Sequence, residues 1–274
     1  MGKSLILTEE QKEFMVYQYT VLKKGVNSIG RELGISGLTV QRHLKKMGVV
    51  IRNLQDAIQE SRAYEVNDNY FKRQSHNMAY ILGLLASDGC VSKDTNHFYI
   101  DLQESDEEIL YKIKEELSFN GPIQHYTNNK GCKFSRLRVC SKIIKEDLAH
   151  YGITPKKTYT LMPPTFLEEQ YYISYIRGYF DGDGCIYINQ EKYNYNWYIC
   201  GARKEVLEWM QKILLNNYGI ITSIQVSNTK LANGDSFYYL QVYKKETIAQ
   251  IFKILYVQGS LFLERKHQKM KKLL

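Results

Sequence analysis

ILGLLASDG (Ile81 to Gly89) and IRGYFDGDG (Ile176 to Gly184) are variants of one nine-residue pattern, and their recurrence decides the fold. Each opens on an apolar residue, carries Gly at the third place and two bulky apolar residues directly after it, and closes on Asp-Gly. One Asp-Gly after an apolar run is an ordinary helix-ending turn. Two such strings, in equivalent places and followed by matching element patterns, indicate an internal duplication. Each copy then supplies one carboxylate at its end, Asp88 and Asp183.

Working outward, the first string predicts a helix over Met78 to Ser87. Strands at Cys90 to Val91 and His97 to Leu102 follow, then a helix carrying Ile109, Leu110, Ile113 and Leu117. A hairpin (Pro122 to Tyr126, Phe134 to Cys140) and a helix over Ser141 to His150 close the unit. The second string repeats the order: helix Tyr171 to Phe180, strands Cys185 to Asn189 and Trp197 to Cys200, helix Lys204 to Asn217, a hairpin within Ile224 to Val242, helix Glu246 to Tyr256. Both halves read αββαββ, an α/β chain of the α+β type, with the joint at Thr154 to Thr165 around Pro163-Pro164. Gly83 and Gly178 fall inside predicted helices, where Gly costs roughly 1 kcal/mol against Ala. Close approach of a second backbone is the compensation expected. It would pack the two duplicated helices about a pseudo-two-fold axis and bring Asp88 and Asp183 together.

That meeting is electrostatically poor by itself. A carboxylate at a helix C-terminus faces the negative end of the dipole, and a second carboxylate adds repulsion. A divalent cation resolves both, and carboxylates with last-turn carbonyls are the oxygen ligands that Mg²⁺ or Ca²⁺ prefers. Beside a phosphate, such a site performs metal-assisted hydrolysis. No HExxH, GxSxG, P-loop or dinucleotide fingerprint is present. His43, His76, His97, His125, His150 and His267 form no spaced cluster and read as surface or packing residues.

The N-terminal stretch has a different texture. Thr8 and Gln11 make a capping box for a helix from Glu9 to about Leu22. In NSIGRELGISGLTVQRHLKKMGV, Asn27 or Ser28 caps a short helix to Leu33, Gly34 turns, and Ser36 caps a helix to Met47. Ile29, Leu33, Ile35, Val40 and Leu44 make its apolar set, while Thr39, Gln41, Arg42, Lys45 and Lys46 stay outside. This is the spacing of a helix-turn-helix that presents its second helix to a DNA major groove; the plainer alternative is a helical hairpin. The expected division is residues 1–52 for this small all-α domain, 53–77 for a linker, 78–160 for the first repeat and 161–274 for the second.

A net charge of +8 fits an anionic partner. Hydrophobic residues at 44% permit a real core. The 23 Tyr suit strands and polar interfaces. Five cysteines, with no CxxC pair, argue against a disulfide framework or zinc site and for a reducing cytosol. No signal peptide or membrane-spanning apolar run is recognisable, so a cytoplasmic protein, of bacterial or phage origin, is expected.

The two strings resemble the LAGLIDADG homing endonucleases in their single-chain, two-motif form. The resemblance runs in arrangement from Met78 to the end of the sequence and is most specific in the two nonapeptides. The helix-turn-helix ahead of the core is similar to forms found in mobile elements and phages. The resemblance implies a pseudo-two-fold αββαββ core whose two sheets form a saddle over DNA, acting as a monomer. It implies intron homing by an Mg²⁺-dependent endonuclease (Ca²⁺ or Mn²⁺ substituting in crystals) that cuts both strands across the minor groove and leaves short 3′ overhangs. The metal ligands implied are Asp88 and Asp183, with backbone oxygens of Ser87 and Gly182. Lys157 in Thr154-Pro155-Lys156-Lys157-Thr158 and Lys266 in Leu263-Glu264-Arg265-Lys266 match the family's basic residues after each repeat, placed to polarise water or stabilise developing charge. The alternative for these is a solvated lysine. Gln103 would place a water, with Cys200 as its register counterpart. One departure stands out: the sixth motif position is Asp181 in the second copy but Ala86 in the first.

Strand alternation puts one sheet face toward DNA. Expected contacts there or on adjoining loops are Lys93, Asn96, Lys133, Arg136, Arg138, Lys192, Asn194, Asn196, Lys230 and Lys244, with Tyr193 to Asn196 read as a hairpin tip. Two competing readings share the fold: a non-catalytic DNA-binding regulator, against which the retained acid pair argues, and an RNA-splicing maturase.

Overall fold

The computed structural model describes residues 7–52, 64–230 and 232–274. The chain divides into two units, Met1–Tyr64 and Glu65–Leu274.

The first unit holds α1 (Glu9–Thr20), α2 (Val26–Leu33) and α3 (Gly37–Lys46) around Leu7, Met15, Tyr19, Ile29, Val40 and Leu44. Thr8 and Gln11 form the capping box, Gly34 turns at φ 68°, and the Ser36 hydroxyl accepts from Thr39 N. The predicted cap of α2 is corrected. Gly25 precedes the helix and Asn27 lies within it, its side chain seated where a β-carbon on Gly37 would come within 2.0 Å of Oδ1. Asn27 therefore packs the two helices together instead of opening one.

The second unit contains two copies of one arrangement. The first runs α4 (His76–Ser87), β1 (Gly89–Val91), β2 (His97–Gln103), α5 (Glu107–Glu116), β3 (Ile123–Thr127), β4 (Lys133–Cys140) and α6 (Lys142–His150). The second runs α7 (Tyr172–Asp183), β5 (Gly184–Asn189), β6 (Asn194–Gly201), α8 (Lys204–Tyr218), β7 (Ser223–Lys230), β8 (Ser236–Val242), α9 (Lys245–Leu255) and an added α10 (Glu264–Lys271). Each copy folds into a four-stranded antiparallel sheet, ordered β1-β2-β4-β3 and β5-β6-β8-β7.

Two segments sit elsewhere than the sequence placed them. The part of the predicted linker from residue 65 onward packs on the first repeat: Phe71 is buried, Asn67 N donates to Leu117 O, and Asp68 accepts from the Ser141 hydroxyl. The rest of that linker, residues 53–63, lies outside the described residues. Asn194 to Asn196 is not a hairpin tip, because β6 begins at Asn194 and the turn is carried by the residues up to Tyr193, whose φ is 48°.

The two motif helices cross at their glycines. A β-carbon on Gly83 would lie 2.0 Å from Tyr175 O, and one on Gly178 would lie 2.0 Å from Tyr80 O. Only hydrogen fits at either place, which is the physical reason the strings repeat their Gly. α4 is buried from Met78 to Ala86 and α7 from Ser174 to Asp181, so this pair is the spine of one continuous apolar core. On each sheet one face meets that core (Phe98, Ile100, Leu137, Val139; Trp197, Ile199, Leu240, Val242), and the opposite face is open.

Candidate active site at the paired helix ends

Asp88 caps α4 and Asp183 is the last residue of α7. The sequence ended that second helix at Phe180; it continues one turn further because the residues after Phe180 find the facing helix to pack on. A β-carbon on Gly182 would come within 1.9 Å of Ser87 Oγ and 3.0 Å of Asp88 Oδ2, so the first acid lies against the backbone that carries the second. Burial raises both carboxyls. Asp183 is pushed up to about 6, first by burial and then by the charge of Asp88. Asp88 is raised by burial and drawn back by Lys266, Lys157 and Arg265.

Two lysines close the site from below. Lys157 follows Lys156, itself in the left-handed region at φ 62°, and is buried. Its Nζ donates to Ser87 O at 3.0 Å and Gly89 O at 2.5 Å. Lys266 in the first turn of α10 is 3% exposed and donates to Phe180 O, Asp181 O and Gly184 O at 2.6, 2.7 and 2.6 Å. Neither is a solvated surface lysine. Each ammonium sits at the negative end of a motif helix and satisfies its free carbonyls. Lys266 spends all three N–H groups there, and burial lowers its pKa to about 8. Lys157 keeps one N–H.

The donor chemistry fits a divalent cation in one respect and resists it in another. Two half-buried carboxylates pressed together are a hard-oxygen site short of positive charge. The Ser87 carbonyl, expected as a third ligand, already accepts from Lys157; the Gly182 carbonyl is not so engaged. Among the described residues no cluster of three or more His, Cys, Asp or Glu is poised as a ready cage. Any cation here would be held by the two Asp with the remaining positions left to phosphate and water.

The sixth motif position differs for a structural reason. Asp181 is buried, accepts from Tyr80 OH at 2.9 Å and Leu263 N at 2.7 Å, and is pushed up to about 6 by burial. It ties α7 to α4 and to the entry of α10. Arg177, absent as a charge from the first string, is fully buried and donates to Leu255 O and Gln258 O. Ala86 has no such anchoring to do.

The register of Gln103 is corrected. Gly89 pairs with Ile100 and Gly184 with Ile199, so Cys200 answers Asp101, two residues before Gln103. Cys200 Sγ donates to Asp183 O at 3.1 Å, whereas Gln103 ends β2 exposed, opposite Phe134. The sequence missed Asp101 as a partner. Its carboxylate holds Arg136 through two hydrogen bonds of 2.5 and 2.6 Å, with that guanidinium also over the rings of Tyr99 and Tyr126.

Of the other expected contacts, Arg138 lies beside Arg136 on the open face of the first sheet, while Lys133 sits at the strand end on the other parity, 3.6 Å from Glu104. Asn194 and Asn196 lie on the open face of the second sheet. Lys93 and Asn96 flank the β1–β2 turn, Lys192 the β5–β6 turn, Lys230 the end of β7 and Lys244 the end of β8. Arg42, Lys45 and Lys46 are exposed on α3, with Thr39 and Gln41 half-buried; Leu38, which the sequence reading omitted, is 72% exposed on the same helix.

The description "LAGLIDADG-like domain" matches residues 75–151 and again 170–255, one match for each repeat and together more than half of the chain. The chain belongs to this family. Among curated relatives, the NrdEB alpha subunit of ribonucleoside-diphosphate reductase from Bacillus subtilis (strain 168) is 24% identical over 175 residues, covering 59% of this chain and 16% of that protein. Uncharacterized protein MJ0314 of Methanocaldococcus jannaschii is 26% identical over 158 residues, 56% of each chain. The chain thus spans only part of the length of the relatives it matches. Among solved structures, full-length DUF199/WhiA from Thermatoga maritima has a TM-score of 0.49 at 15% identity, covering 81% of this chain and 66% of that one. Mesophilic variants of the homing endonuclease I-DmoI have a TM-score of 0.48 at 17% identity, covering 75% and 99%. The two-fold family match carries the LAGLIDADG assignment. No helix among the described residues is long and apolar enough to cross a membrane.

Proposed function

We propose that this LAGLIDADG chain is a sequence-specific double-stranded DNA endonuclease that hydrolyses a phosphodiester in each strand with Mg²⁺. The observation that carries the reading is the destabilised acid pair at the crossing of the two motif helices. A protein selected for stability alone has no use for two half-buried carboxylates at helix C-termini, one of them pushed up to about 6 by burial and, after that, by its neighbour's charge. Asp88 and Asp183 would hold the cation, which supplies charge neutralisation at the phosphate and a more acidic water. Lys157, with its remaining N–H, orients a water or steadies charge on a phosphate oxygen; Lys266 acts as a positioning residue by holding the end of α7. A likeness to proteins described as homing endonucleases and DNA-bound meganucleases agrees in kind. The first unit, with Arg42, Lys45 and Lys46 exposed on α3, is a second DNA contact in this reading. A non-catalytic regulator would keep the open sheets and have no need of the acids.

The test is cleavage of a plasmid carrying the uninterrupted insertion locus, with Mg²⁺ and then with EDTA. Asp88→Asn and Asp183→Asn should each lose double-strand cutting and keep binding. Full cutting by either variant, or by the wild type in EDTA, refutes the metal role.

A further inference from the structure

The two open sheet faces carry different chemistry. On the first, the strand registers place Cys90, His97, Tyr99, Asp101, Arg136 and Arg138 among the outward residues. Arg136 is held between the Asp101 carboxylate, which takes its Nε and one Nη donor, and two tyrosine rings. Arg138, paired in register with Tyr99 and exposed, makes no hydrogen bond or ion pair among the described residues. Among the described residues it is the guanidinium on that face that holds no carboxylate. On the second sheet the outward positions of β5, β6 and β8 are Cys185, Tyr187, Asn189, Asn194, Asn196, Tyr198, Cys200, Phe237, Tyr239 and Gln241, with no charge among them. Its cations, Lys192, Lys230 and Lys244, stand at turns and strand ends. Two of its amides are internally occupied: Asn189 Oδ1 accepts from Lys192 N, and Gln241 Oε1 accepts from Tyr243 OH. Asn194 and Asn196 are not. Asn194 is exposed; Asn196 is half-buried, with its amide oxygen buried and without a hydrogen-bond partner.

Arg offers a two-pronged donor that matches the O6 and N7 acceptors of guanine; Asn offers one donor and one acceptor, matching N7 and the N6 amino group of adenine. We infer that the two halves of the DNA target differ in base class: the half under the first sheet centres on a G·C pair contacted by Arg138, and the half under the second sheet on an A·T pair contacted by Asn194, with Asn196 beside it on the same face. This rests on the sequence-specific duplex binding proposed above.

The experiment is selection of bound duplexes from a randomised library by the full chain without divalent cation, repeated with Arg138→Gln and with Asn194→Ala/Asn196→Ala. The wild type should enrich a site with G·C at a defined position on one side and A·T on the other. Arg138→Gln should lower discrimination at the G·C position by roughly 5- to 100-fold, and the Asn double variant should relax only the A·T side by a similar factor. Circular dichroism and unchanged binding to random duplex establish that each variant is folded. If a defined site is enriched but its preferences survive both variants, or the variants relax the opposite halves, the assignment of base classes is overturned while specific binding stands. If nothing is enriched, both this inference and the specificity it rests on are overturned.

Discussion

A carboxylate whose folded pKa lies above its unfolded value weakens the fold once it ionises, and Asp183 is such a group, raised from 3.8 to about 6. The sign follows from proton binding. Between pH 4 and 6 the folded chain binds more protons than the unfolded one, so the metal-free protein is stabilised below about pH 4 and loses that increment as pH rises through 6. Asp181, also raised to about 6, adds in the same window. Asp183→Asn should therefore raise the neutral-pH melting temperature of the metal-free chain by several degrees, from a gain on the order of 1–3 kcal/mol. It should also flatten the pH dependence between 4 and 6 while abolishing cutting. A lower melting temperature in that variant would show the acid to be a structural asset. The lysines separate in the opposite manner. Lys266 has each N–H on a carbonyl, so Lys266→Met should cost stability first, by about 1–3 kcal/mol. Lys157→Met should lower the single-turnover rate at least about tenfold with a smaller change in melting, since a charge-stabilising contact is worth that order. Equal melting losses and equal rates for the two variants would remove the distinction.

At the scale of the helix pair, the glycines invert the usual propensity argument. Gly→Ala in an exposed helix is worth about 1 kcal/mol of added stability. At Gly83 or Gly178 the new methyl would meet a facing carbonyl at 2.0 Å, so the helices must part. Each Gly→Ala change should destabilise the core by roughly 1–3 kcal/mol in urea denaturation, the range for overpacking. Because the two sites share one crossing, the double variant should cost less than the sum of the singles; strict additivity would mean the crossing relaxes locally at each site. This feature was legible in the sequence, since two glycines inside apolar helical stretches demand a partner backbone. The capping hydroxyls of Thr8 and Ser36 were legible for the same reason: one side chain suffices to specify the turn. What stayed hidden depends on distant residues. Gly25, not Asn27, precedes α2 because Asn27 is drawn to Gly37. Gln103 was misaligned by two because short β1 and longer β5 leave the register ambiguous until the pairing with β2 and β6 is known. The role of Asp181 depends on Tyr80 and Leu263, both far away in sequence.

Across the whole molecule, duplication fixes most of what composition leaves open. One αββαββ copy exposes the apolar flank of its motif helix, and the second copy covers it, so the acids meet as a consequence of burial. Periodicity showed the copies; it could not show that the segment from residue 65 belongs to the first repeat, because that stretch is polar and its anchors, Asn67 and Phe71, find their partners in α5 and α6 only in three dimensions. The N-terminal unit has its own core of Leu7, Met15, Ile29, Val40 and Leu44, and so is separable from the LAGLIDADG unit in folding terms. Tethering a second DNA contact converts its binding into an intramolecular event, worth on the order of 10²- to 10⁴-fold in avidity when the tether lets both engage. Removing residues 1–52 should therefore weaken target affinity by at least about 100-fold on that scale and leave the single-turnover cutting rate at saturating protein nearly unchanged. A fluorescence-anisotropy titration paired with rapid-quench cleavage reads the two quantities separately. The weakening should be matched by Arg42→Ala/Lys45→Ala/Lys46→Ala in the intact chain, and the salt dependence of binding should become shallower in both, because fewer phosphate contacts release fewer counterions. Undiminished affinity after the deletion would assign all recognition to the two sheets and leave the three helices without a share in it.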